Sequence, residues 1–162
     1  MDSNDFKEIQ SQLRDVDAAF LIRFIEIRVW GADDLALVKL PFSTPSYFTI
    51  AEAEPLVAEN LMVFGNPSAH NGAINYVSKR VAGNMDDDLP ILFSQFYPLI
   101  MDHNRTGRKG DSGGPVIDFE GKLVGINIGT HKNGDGRFRD VAVGLKPGPV
   151  LEAIKEARLK IK

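Results

Sequence analysis

Apolar residues along this chain first follow a helical spacing and then a strand spacing. In the first segment they recur every three or four positions, with charged residues between them: Phe6, Ile9, Leu13 and Val16. This spacing predicts an amphipathic helix over residues 4–18. From Phe20 the apolar residues alternate with other residues, which is typical of a strand, and Gly31-Ala32-Asp33 interrupts the alternation. The apolar run at residues 35–40 is consistent with a short buried strand.

A series of short apolar segments follows a proline-bounded linker at residues 41–45. Six of them have strand character, and turn-forming residues such as Asn66-Pro67 and Asn133-Gly134 separate most of them. The six segments are residues 60–65, 73–81, 91–100, 114–118, 122–129 and 139–144. Short strands at regular spacing, joined by such turns, predict a closed antiparallel barrel.

The chain ends in a second helical pattern. Pro149 begins it, because the fixed φ of proline suits the first position of a helix. The residues predicted to pack along one face are Val150, Leu151, Ile154 and Leu159. The lysines and the arginine near the end suit the negative end of the helix dipole. Together the patterns predict an all-β protein with a C-terminal helix and an additional N-terminal helix.

The composition is close to the average of globular proteins, and the length suits one domain or two small subdomains. Of 162 residues, 43% are apolar and 25% are charged, and the net charge of −3 argues against nucleic acid as a partner. No apolar run approaches the roughly 18 residues that suggest a membrane span. The absence of cysteine excludes disulfides and thiolate-bound zinc, and neither a metal nor a cofactor is predicted. The acidic N-terminus is unlike a secretory signal, so a natural start at Met1 would keep the protein in the cytoplasm.

Residues 110–115 read Gly-Asp-Ser-Gly-Gly-Pro and carry the most specific chemistry in the chain. A reactive serine needs backbone N–H groups directed at the oxyanion that forms when its hydroxyl attacks a carbonyl carbon. Glycine tolerates the backbone angles that would direct the N–H groups of Gly110 and Ser112 into one small hollow. The alternative is a glycine-rich β-turn without chemistry, since Gly-Gly turns are common. The complete string favours Ser112 as a nucleophile.

Four segments, in this order, resemble motifs of the trypsin-like serine peptidases, in particular the cysteine-poor bacterial HtrA-type proteases and the glutamyl endopeptidases. Asp34–Leu40 resembles the strand that begins with the catalytic aspartate, and Phe64–Pro67 resembles a glycine-asparagine-proline turn of the second barrel. Gly110–Pro115 resembles the nucleophile loop, and Gly121–Asn127 the strand that lines the substrate. The resemblance covers residues 25–160.

The resemblance implies a chymotrypsin-like double β-barrel of six strands each, with the active site in the cleft between the barrels. It also implies roles for individual residues. Ser112 would attack a polypeptide substrate, Asp34 would orient the general base, and the N–H groups of Gly110 and Ser112 would form the oxyanion hole.

The sequence departs from this family at the general base. The family places its histidine before the aspartate, whereas His70, His103 and His131 all follow Asp34. Only 33 residues precede Asp34, too few for six strands of about five or six residues each with their turns. We therefore expect an N-terminal helix and an incomplete first barrel in residues 1–44. A complete second barrel with the C-terminal helix is expected in residues 45–162.

The missing histidine leaves three interpretations open. The chain is a truncated form of an active serine endopeptidase, a pseudoprotease that binds peptides or proteins without cleaving them, or one half of a site that a partner chain completes. An open sheet edge is a template for such a partner. Loss of one triad member lowers turnover by on the order of 10⁴–10⁶. Nothing in the sequence supports a substitute base, and an esterase using the same serine is the other catalytic alternative.

The same resemblance locates the substrate pocket at Thr106, Asn127, Ile128 and Gly129. Thr106 stands where trypsin-like digestive enzymes carry an aspartate, so a preference for lysine or arginine is not expected. Asn127 stands where glutamyl endopeptidases carry a histidine, and its amide can hydrogen-bond a polar side chain. The expected residue before the scissile bond is small, apolar or acidic. An extended substrate would pair with the strand at residues 126–130.

Overall fold

The computed structural model describes residues 25–39, 46–65, 75–82, 94–102, 110–132 and 136–160. The strands are β1 (Ile25–Trp30), β2 (Leu35–Lys39), β3 (Asn60–Gly65), β4 (Asn75–Val81), β5 (Tyr97–Asp102), β6 (Pro115–Ile117), β7 (Leu123–Lys132) and β8 (Phe138–Gly144). The described part of the chain ends in helix α1 (Pro147–Lys160). The mostly β fold with a C-terminal helix is as the sequence predicted. The predicted helix at residues 4–18 and the linker at residues 41–45 lie outside the described residues.

Strands β1 and β2 form an antiparallel hairpin of their own. A single 3-10 turn, Gly31–Asp33, joins them. Asp34 ends this turn in the left-handed conformation, with φ of 50°, and its N–H donates to the carbonyl of Gly31 at 3.3 Å. Asparagine and aspartate are the non-glycine residues that tolerate this conformation best. The turn therefore sets the two adjacent aspartates, Asp33 and Asp34, in different environments.

The other six strands pair antiparallel in the order β3-β4-β5-β8-β7-β6, and β6 pairs with β3, so that the sheet closes on itself. Neighbouring residues of a strand point to opposite faces of the sheet. Ala142 and Val124 accordingly belong to a core inside the ring, while their neighbours Val143 and Leu123 belong to a second core on its outer face. The second core includes Trp30 of β1 and Ala153 of α1, and it holds the hairpin and the helix against the ring.

Strand β5 begins later than the sequence predicts. The pattern indicated a strand over residues 91–100, whereas β5 runs from Tyr97 to Asp102. The N–H groups of Ser94 and Gln95 donate to the carboxylate of Asp33, at 2.7 and 3.3 Å, so they are not available to a neighbouring strand. A contact between residues 61 positions apart decides the start of this strand.

Helix α1 begins at Pro147 rather than at Pro149, and its packed face differs from the predicted one. Leu151, predicted to be packed, is 54% exposed, whereas Ala153 is 2% exposed. Val150 packs against the second core as predicted. Arg28 of β1 also forms an ion pair with Glu156 of the helix at 3.5 Å. Among the described residues, no helix is long and apolar enough to cross a membrane.

Candidate active site

The loop that precedes β6 carries Ser112 and depends on glycine. Gly110 and Gly113 have φ values of 101° and 82°, in the region that residues with a Cβ atom rarely adopt. Gly114 lies so close to β3 that a Cβ atom there would clash with the carbonyl oxygen of Phe64. Gly65, at the end of β3, lies equally close to the side chain of Asp111. The sequence Gly-Asp-Ser-Gly-Gly therefore fits a loop that packs directly on a strand end.

Strand β7 holds the other side of this loop. Gly113 N–H donates to the carbonyl of Asn127 at 2.7 Å, and Asn127 N–H donates to the carbonyl of Gly114 at 2.9 Å. Gly114 N–H donates to the carbonyl of Asp111 at 3.2 Å. The N–H groups of Gly113 and Gly114 are therefore engaged within the protein.

Asn127 braces the loop with its side chain as well. It is 3% exposed, and its Nδ2 donates to the carbonyl of Asp111 at 3.1 Å. Its Oδ1 is buried and makes no hydrogen bond within the described residues. Sequence reasoning assigned Asn127 to the substrate pocket, and the structure gives the amide nitrogen a different partner, the backbone of the nucleophile loop.

Ser112 itself is exposed, and its hydroxyl donates to the main-chain carbonyl of Ile128 at 3.2 Å. Ile128 lies at a bulge of β7, where the pairing with β8 shifts between Asn127 and Gly129. A peptide carbonyl accepts a hydrogen bond but is far too weak a base to remove the proton. The Ser112 hydroxyl is therefore held by a main-chain oxygen and donates to no basic side chain within the described part of the chain.

Of the three histidines, only His131 lies among the described residues. His131 lies on β7 opposite Arg139, and its Nε2 is buried without a hydrogen-bond partner in the described residues. His70 and His103 lie outside the described residues, as does Thr106 of the predicted substrate pocket. The structure joins none of the described histidine atoms to Ser112 through a hydrogen bond.

The two aspartates of the hairpin turn behave oppositely. Asp34, the predicted catalytic residue, is exposed, and its side chain makes no hydrogen bond or ion pair within the described residues. Asp33 is fully buried, and its carboxylate accepts hydrogen bonds from Ser94 N–H and Ser94 Oγ at 2.7 Å each and from Gln95 N–H at 3.3 Å. Sequence reasoning missed Asp33, although the adjacent pair of carboxylates was the available signal.

The segment that donates hydrogen bonds to Asp33 also contacts Trp30. Trp30 Nε1 donates to Gln95 Oε1 at 3.1 Å, and the ring of Trp30 meets that of Phe96 edge to face, with 5.2 Å between the ring centroids. Such a pair adds about 0.5–1.5 kcal/mol beyond its buried area. These contacts anchor the hairpin that carries Asp34 to the strand β5 side of the ring.

A pocket of about 440 Å³ opens beside Ser112. Its described lining consists of Phe48, Phe64, Pro115 and Ile117 together with the loop and its flanking glycines. Elsewhere the described residues contain no group of three acidic, histidine or cysteine side chains that could hold a metal ion.

Comparisons with known proteins agree on the fold. The family model of the trypsin-like peptidase domain matches residues 3–126. A search of curated proteins gave no match. Among solved structures, the MamO protease domain from Magnetospirillum magneticum is similar with a TM-score of 0.53 and 21% identity, over 76% of this chain and 64% of that one.

Two further solved structures are similar to this chain at comparably low sequence identity. The Rv3671c protease from M. tuberculosis in its active form gives a TM-score of 0.56 at 20% identity, covering 76% of this chain and 54% of that one. The HtrA-type protease AlgW with a decapeptide gives a TM-score of 0.60 at 16% identity, covering 85% of this chain and 40% of that one. At these identities the similarity establishes the fold. The chain spans less than two thirds of the length of each of these structures.

Proposed function

The chain belongs to the trypsin-like peptidase family, and from this premise we propose that it provides the nucleophile half of a serine endopeptidase. In this proposal Ser112 forms the acyl-enzyme with a polypeptide substrate. The observation that carries the proposal is the exposed Ser112 hydroxyl at the end of a loop held between β3 and β7. A glycine-rich turn without chemistry needs no such exposed and anchored serine.

The proposed reaction uses this chain as follows. Ser112 Oγ attacks the substrate carbonyl carbon while its proton passes to a general base, and the N–H groups of Gly110 and Ser112 stabilise the oxyanion. The base then returns the proton to the leaving amine, and water hydrolyses the acyl-enzyme on Ser112. Asp34 orients the base. The base itself belongs to residues outside the described segments or to a partner chain.

We further propose that β1 and β2 are the remnant of a first barrel within residues 1–44, and that residues 45–162 form the second barrel of a chymotrypsin-like double barrel. The support is that β1 and β2 pair only with each other among the described strands. An unpaired sheet edge can accept a further strand. A chain that completed this sheet could also carry the general base.

Substrate binding follows from β7 in this proposal. An extended peptide adds a strand along residues 128–130, since the backbone groups of Asn127 are already bonded to the loop. Backbone hydrogen bonds then contribute affinity, and the residue before the scissile bond lies near Ile128, Gly129 and Thr106. Asn127 contributes by bracing the loop through Asp111 and so keeps Ser112 beside this strand.

A second candidate function is peptide binding without cleavage. The hydrogen bond from Ser112 to the carbonyl of Ile128 favours it, because in the described structure the hydroxyl meets a peptide oxygen and not an imidazole. The nucleophile loop and β7 would then serve as a peptide-binding edge.

Covalent labelling separates the two candidates. The native chain is incubated with a fluorophosphonate, and the modified residue is identified by peptide mass spectrometry, with Ser112→Ala as the control. We expect labelling at Ser112 faster than at other serines, because the oxyanion hole and binding alone retain on the order of 10³–10⁴ over water. Absence of selective labelling at Ser112 would remove acyl transfer by this chain and leave peptide binding.

A further inference from the structure

The pocket beside Ser112 is apolar, in contrast to the polar loop that forms its rim. Phe48, Phe64, Pro115 and Ile117 contribute its described side chains, and Ser112 is the polar residue among them. Phe48 is 50% exposed, which leaves half of an aromatic side chain available to a ligand. Since no charged side chain of the described residues lines the pocket, a charged group that entered it would lose its hydration without compensation.

The pocket and β7 lie on opposite sides of Ser112. Strand β6, which follows the nucleophile loop, pairs with β7 on one side and with β3 on the other. The pocket is lined from β3 and β6, and the described lining includes no residue of β7. The Ser112 hydroxyl, in contrast, donates towards β7, to the carbonyl of Ile128. Ser112 therefore lies between the pocket and β7, and a substrate bound across Ser112 would contact both.

The position of Phe48 is fixed by its own segment of the chain. Leu123 of β7 donates its N–H to the carbonyl of Thr49 at 2.8 Å and accepts from the N–H of Ala51 at 2.9 Å. These bonds hold the backbone next to Phe48 against the start of β7. A backbone segment held in this way loses little freedom when a ligand binds beside it.

A peptide that reacts with Ser112 extends in two directions from its scissile bond. The proposed function aligns the acyl part with β7, so the leaving-group part crosses to the side of β3. We propose that the pocket lined by Phe48, Phe64, Pro115 and Ile117 binds a large apolar side chain on the carboxyl side of the scissile bond. The inference rests on the proposed function for the direction of the peptide, and it adds a substrate class: chains with leucine, phenylalanine or a similar residue just after the cleaved bond.

The pocket can be tested without catalysis, because the leaving group of the reaction is itself a ligand. The probes are the dipeptide amides H-Phe-Ala-NH2, H-Leu-Ala-NH2 and H-Asp-Ala-NH2, titrated into the native, isotope-labelled chain and followed by amide NMR shifts. We expect saturable shifts at Gly65, Gly113 and Gly114 with the first two probes. The aspartyl probe should bind at least about tenfold more weakly, because its carboxylate has no partner there.

Variants of Phe48 make the assignment specific. Phe48→Ala should weaken binding of H-Phe-Ala-NH2 about five- to tenfold, through the loss of apolar contact area, and Phe48→Leu should keep most of the affinity. Phe119→Ala is the matched control, since Phe119 is a 67% exposed aromatic residue in the turn between β6 and β7 and is not part of the pocket. Unchanged NMR spectra outside the pocket verify that each variant is folded.

Equal affinity for the phenylalanyl and aspartyl probes, or shifts confined to residues 126–130, would overturn the subsite. The same holds if Phe119→Ala weakens binding as much as Phe48→Ala. Failure of the proposed function has a different signature: the dipeptide selectivity persists while the fluorophosphonate does not label Ser112. Labelling of Ser112 without apolar selectivity would remove the subsite alone.

Discussion

At the scale of single residues, the two adjacent aspartates of the hairpin turn divide structure and chemistry between them. Asp33 is fully buried and accepts three hydrogen bonds from the segment before β5. Asp34 is exposed and occupies the left-handed position that ends the turn. Their roles cannot be exchanged, because the chain turns between them. Asp33 positions the hairpin, and Asp34 remains available for the catalytic role that we propose.

This division predicts opposite effects of two substitutions. Asp33→Ala should lower the free energy of unfolding by about 2–3 kcal/mol, because Ser94 and Gln95 lose charge-assisted hydrogen bonds. Asp34→Asn should change it by less than about 0.5 kcal/mol, because asparagine tolerates the left-handed conformation equally well. Urea unfolding of both variants measures the difference. Equal destabilisation by the two would contradict the assignment of Asp33 as the anchoring residue.

At the scale of elements, the nucleophile loop owes its shape to β3 and β7 on its two sides. The carbonyl of Phe64 on β3 approaches Gly114 so closely that no side chain fits between them. The backbone of β7 exchanges two hydrogen bonds with Gly113 and Gly114 through Asn127. The position of Ser112 therefore depends on elements that do not contain it.

Glycine substitutions test this dependence. Gly114→Ala should destabilise the fold by about 2–3 kcal/mol or more, since the new methyl group meets backbone atoms of Phe64 that cannot turn aside. It should also slow labelling of Ser112. Gly31→Ala is the matched control, because a Cβ atom at Gly31 has no neighbour within 4 Å. Urea midpoints and labelling rates of the two variants provide the measurement, and a mild effect at Gly114 would show that the loop is not clamped by β3.

At the scale of the whole molecule, the stability of the closed sheet should depend on alkaline pH through one half-buried tyrosine. Burial raises the pKa of Tyr97 above its ordinary value, and the negative charges of Glu54 and Glu59 raise it further. The ring packs against Gly144 and the core inside the sheet, and its hydroxyl is buried without a hydrogen bond in the described residues. As the pH rises through about 10, the unfolded chain loses this proton while the folded chain retains it.

The stability of the native chain should therefore fall as the pH rises above about 10, with all of the Tyr97 contribution present below that pH. Tyr97→Phe removes the ionisable group, so its stability should decline less steeply in the same range, with little cost at neutral pH because no hydrogen bond is lost. Tyr47→Phe is the control, since Tyr47 is 81% exposed. The slopes of urea stability against pH between 8 and 11 decide the matter, and identical slopes for Tyr97→Phe and Tyr47→Phe would exclude Tyr97 as the cause.

The sequence by itself determined the features that depend on near neighbours. Short apolar segments bounded by turn-forming residues predicted the strands β3 and β8 almost to their ends. The glycines around Ser112 marked the loop at residues 110–114, because the backbone angles they permit are a local property. The family resemblance followed from these local motifs, and the family match over residues 3–126 agrees with it.

Only the tertiary structure decided which aspartate is buried, where β5 and α1 begin, and that Asn127 holds the backbone of the loop. The burial of Asp33, the start of β5 and the loop contact of Asn127 depend on contacts between distant parts of the chain, such as Asp33 with Ser94 and Asn127 with Asp111. The residues next to a given residue in the sequence do not specify which distant residue it will contact. The pocket beside Ser112 belongs to the same group, because Phe48 and Ile117 lie far apart along the chain and line one pocket only after folding.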